Sequence, residues 1–254
     1  MADDNLSVLE FWEKRANLAE LAGTTDLMAK QLEIEIISKH IKPCQKILEI
    51  GCGNGITAIE LARRFDIDIT GIDFSEKMIS EARRLASENQ FMGHVSFSVG
   101  DARDLSNITD RYDLIFTERV LINLLDWPTQ AKAIKDIIAL LKPGGRYLMC
   151  ENSRDGLDRI NMYRESCGLT RIDPPWHNRY LLEKEVLCLE IDGARLMGVE
   201  DYSSTYYFIS RVVNAWLAAQ EGIEPQYDAK INQLGLLLPP MGDFGQGKLW
   251  IWEK

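Results

Sequence analysis

Residues Ile47-Leu48-Glu49-Ile50-Gly51-Cys52-Gly53-Asn54-Gly55 constrain this chain more than any other stretch. An apolar run carrying one acid enters three glycines at alternate positions. A helical pattern follows, with Ile56, Ile59, Ala62 and Phe65 on one face. A buried strand, a tight glycine turn and a helix N-terminus together bring bare backbone N–H groups to a ligand. The spacing disfavours one ligand class. A dinucleotide fingerprint needs G-x-G-x-x-G, whose third glycine lets helix and strand pack closely. Counting from Gly51, that position is Ile56, so an NAD-type site is disfavoured.

Around this loop, strand and helix signals alternate. Residues 27–41 form an amphipathic helix ended by Pro43, after a first helix marked by Leu9, Trp12, Ala16 and Leu18-Ala19. Strands are expected near Lys46 and over residues 67–73, 95–99, 112–117 and 146–151, with a turn at Lys142-Pro143-Gly144-Gly145. Ser75 reads as a helix N-cap, with Met78, Ile79, Ala82, Leu85 and Ala86 inward, and residues 128–141 form another helix. Such alternation predicts a parallel, doubly wound α/β sheet. After Glu151 the rhythm breaks. A polar and aromatic stretch runs to Tyr180, then a helix over 181–191, a β-rich segment over 196–209, a helix over 211–220 and a closing strand over 248–252.

Composition narrows the function classes. A formal charge of −10 disfavours a broad nucleic-acid footprint, because phosphate binding draws on Lys and Arg. Five widely spaced cysteines, without a C-x-x-C pair, read as reduced thiols of a cytoplasmic protein and disfavour a zinc site. The N-terminus lacks a basic-then-apolar signal, and no apolar run approaches the ~20 residues needed to span a bilayer. No carboxylate cluster points to a metal.

Glu49, Gly51, Gly53 and Gly55 form E-x-G-x-G-x-G; Asp73, Gly100-Asp101 and Lys142-Pro143-Gly144-Gly145 follow in order. Over roughly residues 40–152 this set resembles the class I S-adenosylmethionine-dependent methyltransferases. The resemblance implies a Rossmann-like seven-stranded sheet of order 3-2-1-4-5-7-6 with strand 7 antiparallel. It also implies an N-terminal helical lid over residues 1–42 and a methyltransferase domain over 43–254 carrying a substrate cap at about 153–180. S-adenosylmethionine is the implied cofactor and S-adenosylhomocysteine the product. Gly51, Gly53 and Gly55 would then face the methionine and ribose, with Glu49 supporting the loop and the amino group. Asp73 would accept the ribose hydroxyls, Asp101 and Ala102 would meet the adenine edge, and Phe74 and Met78 its face. Arg15 would suit the methionine carboxylate, or its helix simply packs on the sheet's flank.

Candidates for the transfer itself are fewer. Glu118, after the fourth strand, lies where this family brings donor and acceptor together; an ion pair with Arg119 is the alternative. His177 is a candidate base for an alcohol or amine, or it satisfies loop backbone groups. Arg179 suits an anionic acceptor, or pairs with Glu183. Glu151 and Asn152 are further candidates at the end of strand five. Asp173-Pro174-Pro175-Trp176 looks like the D-P-P-W of adenine amino-methyltransferases. There it directly follows the fourth strand, whereas here it lies beyond the fifth, so it reads as a rigid loop. Residues 117–124 and 156–180 look like small bacterial methyltransferases of surface-polysaccharide or specialised-metabolite type. The expected reaction is methyl transfer to oxygen (a hydroxyl, phosphate or carboxylate) of a small molecule or glycan. An N-methyltransferase acting on an amine or base and a non-catalytic methyltransferase-like subunit are the rivals.

Overall fold

Buried strands and amphipathic helices wind on both faces of one sheet in the computed structural model, which describes residues 2–16, 18 and 22–254. The helix α1 (Ala2–Arg15) precedes α2 (Leu27–Ser38), and the expected continuation of the first helix through Ala19 lies outside the described residues. Then come β1 (Lys46–Ile50), α3 (Ile56–Arg64), β2 (Asp68–Asp73), α4 (Glu76–Ser87), β3 (His94–Val99), β4 (Tyr112–Glu118), α5 (Trp127–Ala139) and β5 (Leu141–Asn152). The second half holds α6 (Arg154–Ser166), α7 (Glu183–Leu187), β6 (Arg195–Glu200), α8 (Ser204–Phe208), α9 (Asn214–Glu221) and β7 (Gly247–Glu253). The strands form a seven-stranded sheet of order β3-β2-β1-β4-β5-β7-β6, and β7 runs antiparallel to both neighbours, as the resemblance implies.

Alternation along each strand divides the core. Ile47 and Leu249 join Ile34, Ile37, Ile59, Leu61 and Ile79 beneath α2, α3 and α4. Leu48, Ile50, Trp250 and Trp252 point the other way, against Ile134, Ile137 and Ile138 of α5. Each fully buried Leu or Ile contributes about 1.5–3 kcal/mol, so two such layers fix the sheet between them. Helix starts follow side-chain chemistry. Asp26, Ser75, Asp126 and Ser153 each accept from a backbone N–H three residues on, capping α2, α4, α5 and α6.

Several local expectations are corrected. Lys142-Pro143-Gly144-Gly145 is a bulge inside β5 rather than a turn before it. Tyr112 pairs with Leu141 and Leu114 with Arg146, so four residues of β5 stand against one of β4. The stretch 196–209 is strand only to Glu200; Tyr206, Tyr207 and Phe208 are helical and run through a π-turn (Ile209–Val213) into α9. Their aromatic and β-branched side chains suit a strand, but burial against α2 and α6 sets the outcome. The stretch before Tyr180 contains α6, and the helix expected over 181–191 shortens to α7. Among the described residues, no helix is long and apolar enough to cross a membrane.

Candidate functional site

The glycine loop is built by the ends of β1 and β2. The N–H groups of Gly51 and Cys52 both donate to Ile72 O, at 2.7 and 2.9 Å. Asp73 then locks the loop: its Oδ2 accepts from Gly53 N and its Oδ1 from Ser75 N, each at 2.9 Å. Gly51 has φ +72, and a Cβ there would lie 2.2 Å from Val120 Cγ2, so a side chain is excluded twice over. Gly53 differs. At φ +54 its added Cβ would meet nothing within 4 Å, because it faces open space.

That space is a cavity of about 510 Å³. Glu49, Gly51, Gly53, Asp73, Phe74, Met78, Asp101, Ala102 and Glu118 all line it, so the structure brings most of the expected cofactor residues together. Gly55 is buried behind the loop, its absent Cβ filled by the Phe97 ring at 2.6 Å. Asp101 is gripped by Arg103, whose Nε and Nη2 donate at 2.9 and 2.5 Å. Burial pushes the Asp101 carboxyl up, but these bonds outweigh it and leave it below the usual carboxylate range. Asp73 moves the other way: burial raises it to about 6 despite its two backbone donors.

The floor under the glycine loop is more charged than the sequence suggested. Glu118 Oε2 accepts from Thr57 Oγ1 at 2.7 Å and from Lys30 Nζ of α2. Its ion pair is therefore with Lys30, not Arg119. Arg119 instead pairs with Glu33 Oε1 at 2.9 Å, holding a left-handed backbone of φ +56 that costs on the order of 1–3 kcal/mol in a non-glycine residue. Burial, and then the charge of Glu118, raise Glu49 well above the normal carboxylate range. Burial lowers Lys30, but Glu118 and Glu33 reverse the effect and hold it protonated. Glu33 Oε2, Glu49 Oε2 and Glu118 Oε1 are buried without a hydrogen-bond partner among the described residues. Lys30 and Glu33 escaped the sequence reading. They share a helix face with Ile34 and Ile37, three, four and seven residues along, and that spacing was the available signal.

The candidates after β4 lie elsewhere. Glu151 pins the turn that follows β4: its Oε1 accepts from Val120 N and Leu121 N at 3.0 and 3.1 Å, its Oε2 from Ile122 N at 3.4 Å. Burial raises its carboxyl to about 7 against those donors. Asn152 pairs through its backbone with Leu181 N at 3.0 Å. Arg179 pairs with Glu185 rather than Glu183, at 2.6 Å, and donates to Gln130 Oε1 at 2.7 Å. His177 is buried beside the cavity, not in its lining, with its ring 4.2 Å from that of Phe11 in α1. Burial first, then Arg15, lower its pKa, and Nδ1 has no partner among the described residues. Arg15 Nε donates to Ala22 O at 2.6 Å and its guanidinium lies 5.9 Å from the Trp12 ring. Trp12 does line the cavity, donating to Asn123 Oδ1 at 3.2 Å, while Glu13 accepts from Ser75 Oγ at 2.5 Å. α1 thus spans the cleft from α4 to the turn after β4.

Residues 47–145 match the sequence family described as methyltransferase domain. An O-methyltransferase of Pyrenophora dematioidea is 29% identical over 137 residues, 54% of this chain and 49% of that protein. The ubiquinone/menaquinone biosynthesis C-methyltransferase of Geotalea daltonii is 31% identical over 119 residues, 45% of this chain and 49% of that one. The chain thus spans about half the length of the curated relatives it matches. The solved magnesium protoporphyrin IX methyltransferase from Synechocystis PCC 6803, with S-adenosylhomocysteine bound, shares the fold: TM-score 0.55 at 15% identity, over 95% of this chain and 86% of that one. The residues present fit such a cofactor, because Gly53 leaves backbone open to a ligand and the unpartnered oxygen of Glu49 suits its ammonium group. The strand order, the glycine loop and these likenesses together support a class I S-adenosylmethionine-dependent methyltransferase, with residues 47–145 as the part that matches the methyltransferase domain.

Proposed function

We propose that this chain methylates a hydroxyl oxygen of a small molecule or glycan. The observation that carries the reading is the convergence of Glu49, Gly53, Asp73, Asp101 and Glu118 on one cavity at successive strand ends. Bound there, S-adenosylmethionine supplies an electrophilic methyl group on a positively charged sulfur. Glu49 receives the ammonium, Asp73 turns its remaining lone pairs to the ribose, and Phe74, Met78 and Ala102 enclose the adenine. α1 covers the cleft as a lid, with Trp12 over the cofactor and the Phe11–His177 stack as its seat. Glu118, oriented by Lys30 and Thr57, stands nearest the transfer and offers Oε1 to the acceptor's proton.

Oxygen is favoured by the O-methyltransferase relative and by Asp173-Pro174-Pro175-Trp176, which does not line the cavity and so offers no base-stacking platform there. A hydroxyl is favoured over a phosphate or carboxylate because Arg179 is committed to Glu185 and Gln130. Titration calorimetry with S-adenosylhomocysteine, followed by labelled methyl transfer to a panel of phenols, sugars, amines and RNA, tests the reading. Binding weakened at least tenfold by Asp73→Ala, with label on a hydroxyl, is expected. Unchanged binding by Asp73→Ala, or label on RNA or amines alone, overturns it.

A further inference from the structure

The buried charges beneath the glycine loop do not close on themselves. Three carboxyls (Glu33, Glu49, Glu118) meet two cations (Lys30, Arg119), and each carboxyl keeps one buried oxygen without a hydrogen-bond partner among the described residues. Lys248, which is buried, makes the contrast with the partly exposed Lys30. Lys248 reaches Asp201, the backbone O of Asp243 at 3.0 Å and Glu183 at 3.4 Å, and none of those acids is left with a buried unpartnered oxygen. The Lys248 cluster holds the fold together; the Lys30 cluster is open toward a ligand. Lys30, Glu49 and Glu118 all line the cavity that also holds Gly53 and Asp73. Lys30 comes from α2, outside the residues 47–145 that match the methyltransferase domain.

Methyl transfer removes one positive charge from the cofactor, since the sulfonium becomes a neutral thioether when its methyl leaves. The local charge of the cleft therefore decides how strongly substrate cofactor is preferred over product. We propose that Lys30 sets this preference: by neutralising Glu118 it limits the negative field at the cofactor's sulfur, so that the neutral product competes with the charged donor. Lys30 acts through Glu118 and is a positioning residue. A unit charge changed within the site alters the affinity of a charged ligand by about tenfold at a separation of roughly 12 Å, for an effective dielectric of about 20, and leaves that of its neutral counterpart nearly unaltered.

Calorimetry at pH 8 with S-adenosylmethionine and with S-adenosylhomocysteine reads the effect directly. Lys30→Met is expected to raise the ratio of the two affinities, in favour of S-adenosylmethionine, about tenfold. Glu118→Gln is expected to lower it by a similar factor, and the double variant to return it near the starting value. A merely structural Lys30 weakens both ligands alike, so a ratio unmoved by Lys30→Met, or moved the same way by both single variants, overturns the proposal. Lys30→Arg keeps the charge and should hold the original ratio; a shifted ratio there also counts against it. If the unaltered protein binds neither ligand, the cofactor assignment fails instead, and the two failures are told apart.

Discussion

Gly51 and Gly53 look alike in a sequence and do opposite work in the fold. Gly51 is closed in by Val120, whose Cγ2 would lie 2.2 Å from a Cβ, and its φ is +72. Gly51→Ala should therefore cost about 2–3 kcal/mol of stability through overpacking and strain. Gly53→Ala meets no neighbour within 4 Å and should cost about 1 kcal/mol, from the left-handed backbone alone. Its methyl group stands where the ligand approaches, so it should weaken S-adenosylhomocysteine at least tenfold. Thermal melting and calorimetry on both variants separate the two roles; equal melting losses would refute the distinction. The spacing of the glycines made the loop legible. It could not say which glycine faces the ligand, because that depends on Val120, distant in sequence. The same holds for Glu118: its place was readable from the end of a strand, its partner Lys30 was not, since α2 docks there only in the folded chain.

At the scale of elements, the turn after β4 hangs on one carboxyl. Glu151, from the end of β5, takes three consecutive backbone N–H groups of that turn. Its pKa rises to about 7 and that of Asp73 to about 6, both above the ordinary values of ~4 in an unfolded chain. The folded state thus binds more protons than the unfolded state between those limits. Stability held below about pH 4 is lost as pH rises through 6 and 7. Glu151→Gln keeps an acceptor and removes the titration. It should flatten that fall by on the order of 3 kcal/mol between pH 5 and 8, measured by denaturant unfolding. A variant with the full original slope would show that Glu151 is not the titrating group. Most elements before β5 were legible, because strand and helix periods differ and caps such as Ser75 mark the starts. Beyond it, Tyr206, Tyr207 and Phe208 carry strand-like side chains on a helix, and only their tertiary neighbours decide.

Across the whole molecule, α2 is tied to the far half of the chain. Asp26, its N-cap, accepts from Tyr206 Oη at 2.5 Å, a buried bond, and from Arg211 Nη2 at 2.6 Å, a partly buried one. Arg211→Met leaves Asp26 as an uncompensated buried charge, worth about 3–5 kcal/mol and a fall of about 10 °C in melting temperature for a chain of this size. Asp26→Asn combined with Arg211→Met should lose clearly less; an equal loss would mean the pair itself is not what matters. The strand order was foreseen from family resemblance, while this tie, joining residues far apart in sequence, carried no local signal.

The cavity's walls come from residues 8 to 124, and among the described residues the long segment after β5 contributes none. Wall and buttress are thus separable parts. The later half braces α2 and the turn after β4 from behind, through Asp26 and Glu151, without entering the chamber. Someone wishing to re-aim this protein at a new acceptor would leave that half alone and redesign the first two helices, where a few exchanged side chains reshape the chamber while the bracing stays in place.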